Sequence, residues 1–401
     1  MKKINVLKPK FETEKILEQM RECLDSGWTG MGFKTVEFED KWKEYTDLPH
    51  AHFIASNTVG LHLALNLFKN KDGWKDGDEI ITTPLTFVST NHAIMYERLK
   101  PVFADVDSSM CLDPKSIEEN ITDKTRAVLY VGIGGNTGEL LEVKRICEKH
   151  NIRLILDAAH MSGTKIKNVF MGVGYTTEHV GKEADVTIFS FQAVKNLPTA
   201  DSGMICFRDE EDDKLVRQLS WLGIDKDTYS RSTEGSYKWK YDVPNIGFKY
   251  HGNSIMASIG LVQLDRLDED NKYRNQIADW YTEYLTDDWG RHDPRCIEIV
   301  KDDLYVATSS KHLFQILVPA ECRDNLIELL YNNEIYPGVH YIDNTNYPMY
   351  SDSHGKCPNA HSYSKRLITL PIHLGITKND VKRISQIVKD CEWLGDWKWI
   401  G

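Results

Sequence analysis

The sequence predicts an α/β fold in which a large domain is built on a doubly wound, mostly parallel β-sheet and a smaller α+β domain follows. Three observations lead to this prediction. Short apolar runs alternate with helical patterns from about residue 50 to residue 207, and polar side chains follow the ends of these runs. The chain of 401 residues is also too long for one simple core. Strand–helix alternation is typical of right-handed βαβ units.

Five apolar runs rich in Val and Ile are the candidate strands of the large sheet. They are 78–84 (DEIITTP), 100–106 (KPVFADV), 125–131 (TRAVLYV), 152–158 (IRLILDA) and 184–190 (ADVTIFS). Such runs are typical of strands buried on both faces of a parallel sheet. Ligands of these sheets bind at the carboxyl ends of the strands, where the sequence places Asp157 and the segment 190–195.

Helical spacing occupies much of the remaining sequence. It is found after the apolar run at 51–54, again at 140–150, and from 254 to about 285, which we expect to form one long helix leading into the second domain. The polar and aromatic stretch 223–247 predicts a long loop, and the tail from about 310 to 393 mixes short strands and helices. We therefore place the large domain, with an N-terminal arm, at 1–265 and the small domain at 266–401.

Composition and charge exclude several classes of protein. A hydrophobic content of 41% and a charged content of 27% are ordinary for a globular protein. The net charge of −11 argues against a nucleic-acid or anionic membrane surface. The eight cysteines are widely separated, so they lack zinc or iron–sulfur spacing, and we expect reduced thiols in the cytoplasm. We expect neither a signal peptide nor a membrane span, since no apolar stretch approaches ~18 residues.

Lys195 is the most informative residue. The apolar run 186–191 leads to this single lysine, and a second apolar run, 204–207, follows a turn. A lysine that is partly shielded from water loses some preference for its charged form, so it can act as a nucleophile or form a Schiff base. Lysines at strand ends are more often solvated, so the interpretation depends on the other features of the chain.

Two further segments carry residues that suit a phosphorylated aromatic ligand. Ser56, Asn57 and Thr58 stand where an apolar strand passes into a helix, either as an ordinary N-cap or as a cradle of N–H and hydroxyl groups for a phosphate. Phe87 follows a strand and a turn at Pro84, either as a core residue or as a platform on which an aromatic ring stacks.

A carboxylate and a lysine complete the pattern. Asp157 ends a buried strand, with His160 three residues later, and Ser190 precedes Lys195 in the next strand end. The carboxylate could cap a helix, or it could pair with a protonated ring nitrogen. A phosphate cradle, a ring platform, a carboxylate and a lysine together indicate pyridoxal 5′-phosphate chemistry, in which the lysine carries the cofactor and the carboxylate keeps its pyridine nitrogen protonated. No metal site is expected.

Segments along nearly the whole chain match a known family in order and spacing. They are 26–42 (SGWTGMGFKTVEFEDKW), 56–65 (SNTVGLHLAL), 77–94 (GDEIITTPLTFVSTNHAI), 101–107 (PVFADVD), 156–168 (LDAAHMSGTKIKN), 189–196 (FSFQAVKN), 247–267 (GFKYHGNSIMASIGLVQLDRL), 338–341 (GVHY) and 357–377 (CPNAHSYSKRLITLPIHLGIT). On these segments the chain resembles the DegT-type sugar aminotransferases, which are fold-type-I, pyridoxal-phosphate-dependent enzymes. The resemblance implies a seven-stranded sheet and a homodimer whose active sites are shared.

The resemblance also implies roles for individual residues. Lys195 would hold the cofactor, Asp157 would bind its ring nitrogen, and Phe87 would stack on the ring. His160 would lie near the ring phenolate, with Gln192 beside the lysine.

Phosphate and substrate contacts follow from the same resemblance. Those to the phosphate would come from Asn57, Thr58 and Ser190 of one chain and from Lys249 of the other, and those to the substrate from Trp28, His340 and Tyr341.

The implied reaction moves an amino group from L-glutamate to a nucleotide-diphosphate-linked keto-deoxysugar at C4 or C3, with pyridoxamine 5′-phosphate as the intermediate form of the cofactor. A sugar dehydratase on the same fold is the alternative enzyme, but its known members replace the lysine by histidine, and this chain keeps Lys195. A cofactor-binding sensor without turnover is a further alternative, which the absence of a basic patch in the sequence disfavours.

The sequence departs from the family pattern at several points. Gln192 stands where many members have histidine, and Lys249 where many have asparagine. The strings GIGGNTGE (132–139) and TADSGM (199–204) are irregular versions of the family's own. We expect Gln192 to change the hydrogen bonding beside the lysine and Lys249 to give a charged contact with the phosphate. The departures leave the substrate contacts open, and we expect the cofactor chemistry to be unchanged.

Overall fold

Four β-sheets and twelve α-helices are present in the computed structural model, which describes residues 2–170, 174–226, 229, 241–286, 297–300, 302 and 306–391. In chain order the strands are β1 (Ile4–Asn5), β2 (His50–Ile54), β3 (Glu79–Thr82), β4 (Lys100–Phe103), β5 (Thr125–Val131), β6 (Arg153–Asp157), β7 (Lys165–Phe170), β8 (Gly174–His179), β9 (Val186–Ser190), β10 (Gly203–Phe207), β11 (Glu298–Ile299), β12 (Val306–Thr308), β13 (Phe314–Leu317), β14 (Ile335–Tyr336) and β15 (Leu367–Leu370). The helices are α1 (Thr13–Ser26), α2 (Phe33–Thr46), α3 (Asn57–Lys71), α4 (Val88–Tyr96), α5 (Pro114–Asn120), α6 (Leu140–His150), α7 (Glu210–Ser220), α8 (Ser254–Leu264), α9 (Leu267–Leu285), α10 (Ala320–Asn332), α11 (Pro358–Arg366) and α12 (Lys378–Lys389).

The largest sheet has seven strands in the order β2-β10-β9-β6-β5-β3-β4. All neighbouring pairs are parallel except the two that β10 makes with β2 and β9. The five predicted strands are β3, β4, β5, β6 and β9, so the predicted doubly wound, mostly parallel, seven-stranded sheet is confirmed. The apolar run 204–207 forms β10, whose reversed direction brings its first residue back toward the carboxyl end of β9.

Helices cover both faces of this sheet. In β5, Val128 and Tyr130 point into one core, and Ala127, Leu129 and Val131 point into another. The first core contains side chains of α2, α6 and α8, and the second contains side chains of α3, α4 and α7. Both faces are therefore apolar, which explains why the strand sequences lack alternation.

A third apolar core lies among the C-terminal elements. Ile277 of α9, Phe314 of β13, Ile368 of β15 and Ile384 of α12 are buried in it. Strand β1 joins this group, because Ile4 is buried there and β1 pairs in parallel with β14. The division into domains at residue 265 stays a prediction.

The predicted long helix between 254 and 285 is two helices in the structure, α8 and α9. The helical path is interrupted at Arg266, which has φ −110° and ψ −8°. The guanidinium of Arg266 contacts Glu12 and Asp270, so the side chain ties the break to the N-terminal segment. The predicted helix at 140–150 is confirmed as α6. Residues 227, 228 and 230–240 of the predicted loop lie outside the described residues.

No helix in the described part of the chain is both long and apolar enough to cross a membrane.

A buried charge cluster connects α2, β2 and α7. The carboxylate of Glu39 accepts a hydrogen bond from the backbone N–H of Phe53 at 2.7 Å and lies 3.0 Å from His52 Nδ1 and 2.8 Å from Arg217 Nη1. Burial alone would raise the pKa of Glu39, but Arg217, His52 and the Phe53 N–H outweigh it and lower the pKa from 4.5 to about 2. The ionised carboxylate therefore stabilises the fold.

We expect Glu39→Gln to reduce the free energy of unfolding by about 3 kcal/mol at pH 7, from the shift in the pKa of this carboxyl. A carboxyl group whose pKa is lowered by folding stabilises the fold at pH values above its pKa in the unfolded chain. This contribution is lost as the pH falls through its pKa in the folded protein. The difference between wild type and variant should therefore shrink as the pH falls from 4.5 toward 2. Urea unfolding at pH 7 and at lower pH measures it, and a difference that does not depend on pH would contradict this assignment.

Candidate active site

A cavity of about 420 Å³ lies at the carboxyl ends of β6 and β9, beside the beginning of α3. Most of the residues that the sequence singled out line it, namely Asn57, Thr58, Phe87, Asp157, His160, Ser190, Gln192, Lys195, His340 and Tyr341. Side chains from β6, β9, α3, α4 and the segment after β14 thus meet at one place, as expected for the strand ends of a doubly wound sheet.

A larger cleft of about 1020 Å³ lies at the opposite edge of the sheet, near the amino ends of β5 and β6. Two of the arginines that line it are paired, since Arg126 lies 2.7 Å from Asp78 and Arg153 lies 2.9 Å from Asp72. In the smaller cavity, by contrast, burial lowers the pKa of a lysine, Lys195, and raises the pKa of a carboxyl group, Asp157. The smaller cavity is therefore the candidate active site.

Asp157 lies at the bottom of the cavity and is only 3% exposed. Asn57 Nδ2 and the backbone N–H of Ala159 donate to its Oδ1 at 3.1 and 3.2 Å, and Thr90 Oγ1 donates to its Oδ2 at 2.8 Å. Burial raises the pKa of Asp157, opposed by these hydrogen bonds and by the charge of Lys195. Among the described residues, no cationic side chain lies within ion-pair distance of this carboxylate, so the site is suited to a cationic group of a ligand.

Lys195 is partly buried in the turn between β9 and β10. The backbone carbonyl of Gln192 accepts a hydrogen bond from the backbone N–H of Lys195 at 2.8 Å, and Gln192 Oε1 accepts one from the N–H of Val194 at 3.0 Å. Desolvation lowers the pKa of Lys195 to about 8, although the charge of Asp157 opposes the shift. The neutral, nucleophilic form of this amine is therefore far more populated near neutral pH than that of an ordinary lysine.

The first turn of α3 is the candidate anion site. Ser56 caps the helix, with its hydroxyl accepting a hydrogen bond from Val59 N at 3.3 Å, and the backbone N–H groups of Asn57 and Thr58 lie at the helix start. Strand β10 approaches this turn closely, because a Cβ at Gly203 would lie 2.9 Å from Asn57 N. A glycine here lets β10 reach the helix start.

The side chain of Asn57 binds the carboxylate of Asp157 and a backbone carbonyl. Its Nδ2 donates to Ile188 O at 3.1 Å as well as to Asp157. Any contact of Asn57 with a phosphate would therefore come from its backbone N–H, while its side chain positions the carboxylate.

His160, His340 and Tyr341 form one wall of the cavity. Tyr341 Oη lies 3.1 Å from His160 Nε2, and His340 Nδ1 lies 3.0 Å from Thr369 Oγ1. Burial lowers the pKa of His160 well below its ordinary value, with Lys195 and His340 acting in the same direction. Burial also lowers the pKa of His340, to about 4, so both imidazoles are neutral at pH 7.

Phe87 is not a core residue, since 57% of it is exposed at the rim of the cavity, 6.1 Å from the ring of Tyr341 between centroids. Trp28 and Lys249 lie outside the cavity lining among the described residues. The rings of Trp28 and Tyr229 are nearly perpendicular with centroids 5.2 Å apart, and the ammonium of Lys249 lies 3.3 Å from the centroid of Trp221. Within this chain, Trp28 and Lys249 are therefore not part of the cavity that contains Asp157 and Lys195.

Two residues that contribute to the site were not predicted from the sequence. Thr90 donates to Asp157, and its position one helical turn after Phe87 is a periodicity signal that could have identified it. The backbone N–H of Gly134 donates to His160 Nδ1 at 3.1 Å. Gly134 belongs to the irregular string 132–139, and nothing local to that string indicates its partner.

These residues fit pyridoxal phosphate. The buried carboxylate of Asp157 has no cationic partner at ion-pair distance in the described chain and suits a protonated ring nitrogen. The exposed face of Phe87 suits an aromatic ring, the start of α3 suits a phosphate, and the amine of Lys195 suits an aldehyde. Within the described part of the chain, no group of three His, Cys, Asp or Glu side chains is arranged to hold a metal ion.

Comparisons with known proteins agree with this chemistry. The model of the DegT/DnrJ/EryC1/StrS aminotransferase family matches residues 10–389. The spore coat polysaccharide biosynthesis protein SpsC of Bacillus subtilis is 33% identical over 385 residues, which cover 93% of each chain.

Solved structures share the fold. PseC of Helicobacter pylori, an aminotransferase involved in the biosynthesis of pseudoaminic acid, superposes with a TM-score of 0.85 at 25% identity and covers 98% of this chain and 100% of its own. Spr1654 of Streptococcus pneumoniae, solved in a PLP form and a PMP form, superposes with a TM-score of 0.84, at 27% and 28% identity. The match covers 96% of this chain in both forms and 97% and 98% of the respective Spr1654 chains.

Proposed function

The chain belongs to the DegT/DnrJ/EryC1/StrS aminotransferase family, and we propose that it transfers an amino group from L-glutamate to a nucleotide-diphosphate-linked keto-deoxysugar, at C4 or C3. It is an aminotransferase of fold type I that uses pyridoxal 5′-phosphate. The observation that carries the proposal is the meeting of Lys195 and Asp157 in one cavity, an amine with a lowered pKa beside a buried carboxylate.

The residues that would hold the cofactor are those of the cavity. The first turn of α3 and Ser190 would bind the phosphate, Phe87 would lie against the ring, and Asp157 would accept a hydrogen bond from the ring nitrogen. When bound, the cofactor supplies a conjugated cationic ring that withdraws electrons from the carbon at which the proton is exchanged.

Lys195 is the residue that moves the proton. Because its pKa is lowered to about 8, the Nζ atom can both accept and return a proton near neutral pH. Asp157 would accept a hydrogen bond from the protonated ring nitrogen, and Asn57 and Thr90 hold its carboxylate in place. The wall formed by His160, His340 and Tyr341 is neutral, so it adds no charge that competes with Lys195 for the proton.

The sugar substrate is supported by the relatives. SpsC is a spore coat polysaccharide biosynthesis protein, and PseC is an aminotransferase involved in the biosynthesis of pseudoaminic acid, so both of these relatives act in carbohydrate biosynthesis. The retained Lys195 favours transamination over dehydration, because the known dehydratases of this fold have histidine in place of this lysine.

The proposal is tested in two half-reactions. Glutamate alone should convert the holoenzyme to its pyridoxamine form, with loss of the long-wavelength absorption of the cofactor. The pyridoxamine form, freed of glutamate, should then regain this absorption with one member of a panel of nucleotide keto sugars and should yield an amino sugar by mass spectrometry. A holoenzyme that gives water loss from the sugar without amine transfer would show a dehydratase, and one that responds to neither compound would show a binding protein.

We further propose a homodimer in which each active site takes Lys249 from the other chain. Lys249 is exposed, stands in a bridge with Trp221, and lies outside the cavity of its own chain. Exposed apolar side chains surround this segment, including Leu222, Val243 and Ile246. An apolar exposed surface next to an exposed lysine suits an isologous contact between two copies.

Mixed dimers test this arrangement. Lys195→Ala and Lys249→Glu should each be inactive or nearly so, whereas a 1:1 mixture after subunit exchange should recover about a quarter of the wild-type activity, because half of the dimers are mixed and each has one intact site. Differently tagged chains show that mixed dimers form. Mixed dimers that form and stay inactive, when both parents are inactive, would rule out the shared site.

A further inference from the structure

The hydrogen bond from Gly134 determines which nitrogen of His160 carries a proton. The backbone N–H of Gly134 donates to His160 Nδ1 at 3.1 Å, so Nδ1 must offer a lone pair. The imidazole is buried, and burial lowers its pKa well below the ordinary value, so it is neutral at pH 7. A neutral imidazole with a free lone pair on Nδ1 has its proton on Nε2.

The proton on Nε2 determines the direction of the Tyr341 hydroxyl. Tyr341 Oη lies 3.1 Å from His160 Nε2. Since this nitrogen donates, the phenolic oxygen must accept, and its own hydrogen is left over. Among the described residues the hydroxyl makes no other hydrogen bond, and Tyr341 lines the cavity. Burial raises the pKa of Tyr341, which keeps the phenol protonated.

We propose that Gly134 and His160 are positioning residues that make the Tyr341 hydroxyl a hydrogen-bond donor to an oxygen atom of the molecule bound in the cavity. The inference rests on the proposed function for the identity of that molecule, since both the ring oxygen of the cofactor and the carbonyl oxygen of a keto sugar are acceptors of this kind. Tyr341 then favours oxygen acceptors over N–H donors at this wall of the cavity.

The neighbours of His160 hold its imidazole ring in one orientation. Its backbone carbonyl accepts a hydrogen bond from Ser310 Oγ, and the ring of His312 lies 4.3 Å away between centroids. His312 Nδ1 lies 2.8 Å from Asn196 Oδ1, and the Nδ2 of this asparagine donates to two other oxygens, so His312 is the donor in that pair. Both histidines are therefore held in one tautomer by neighbours that cannot reverse their roles.

Neutron diffraction from crystals of the deuterated holoenzyme tests the proton positions directly. We expect deuterium on His160 Nε2, none on its Nδ1, and the Tyr341 O–D pointing away from His160 toward a bound oxygen. Deuterium on Nδ1, or an O–D directed at His160, would overturn the proposal. The proton positions are measured without turnover, so their result is independent of whether the proposed function is correct.

Kinetics of the separate half-reactions identify the acceptor. Tyr341→Phe should slow at least one half-reaction about tenfold, the factor expected for the loss of one hydrogen bond, whereas Tyr331→Phe, which changes an exposed tyrosine, is the matched control. A loss confined to the sugar half-reaction assigns the acceptor to the sugar. A shift of the cofactor absorption, with both half-reactions slowed, assigns it to the cofactor ring. Unchanged rates and absorption would overturn the proposal.

Substitutions of His160 test its positioning role. His160→Leu removes the donor at the Nε2 position and should resemble Tyr341→Phe, while His160→Gln places an amide donor there and should recover most of that loss. In the double variant of His160→Leu and Tyr341→Phe the losses should not add, because His160 acts only through the Tyr341 hydroxyl, which the phenylalanine has already removed. Additive losses, or no recovery with glutamine, would show that His160 acts independently of Tyr341.

Discussion

Lys195→Ala should lower kcat by about a thousandfold or more, because it removes both the group that holds the cofactor and the group that moves the proton. The amine has a pKa of about 8 and no hydrogen bond from its Nζ to another side chain in the described part of the chain. Its removal therefore deletes a reactive group and leaves no partner unsatisfied. We expect the unfolding temperature of the cofactor-free variant to stay close to that of the wild type.

The matched control is Lys41→Ala, which removes an exposed lysine of α2 far from the cavity and should leave kcat unchanged. Steady-state kinetics of both variants, with circular dichroism and thermal unfolding, separate a loss of chemistry from a loss of structure. A Lys195→Ala enzyme that retains a tenth of the wild-type kcat would show that another group moves the proton.

Asp157→Asn should lower kcat by about a hundredfold to a thousandfold, the loss found when one preorganised electrostatic partner is removed. The substitution can keep the local geometry. Its oxygen can take the place of Oδ1 and accept from Asn57 and the N–H of Ala159, and its amide can donate to Thr90, whose hydroxyl can accept. The negative charge that would face the ring nitrogen is then the only large change.

The same substitution should leave the cofactor-free protein at least as stable. The pKa of Asp157 is raised by burial, so its ionisation above that pKa costs folding free energy, the opposite sign to Glu39. Thermal unfolding of the cofactor-free protein at pH 7 measures this effect, with Asp352→Asn, at an exposed aspartate, as the control. Lower stability together with near-normal turnover would show that Asp157 is a structural residue.

Local patterns predicted those parts of the fold that local chemistry determines. The strands β3 to β6 and β9 are apolar because both faces are buried, and α6 shows its buried stripe in the sequence. The break between α8 and α9 was not predicted, because it depends on contacts of Arg266 with Glu12, which is distant in the sequence.

In the candidate site, too, contacts between residues distant in the sequence were not predicted. Strand ends placed Asp157, Ser190 and Lys195 correctly at one cavity, since parallel strands end at one edge of a sheet. The contact between His160 and Tyr341 joins residues 181 positions apart, and no periodicity indicates it. The side-chain role of Asn57 was also hidden, because a residue at a helix start is ordinarily interpreted as a cap or an anion contact.

Reduction of the holoenzyme with borohydride, followed by proteolysis and mass spectrometry, tests the central claim most directly. The reagent makes the bond between the lysine and the cofactor permanent, so the modified peptide identifies the lysine that holds it. We predict that the added mass lies on the peptide containing Lys195 and that Lys195→Ala carries none. Cofactor trapped on a different lysine of the wild-type enzyme, or no covalent attachment in an active holoenzyme, would contradict the account.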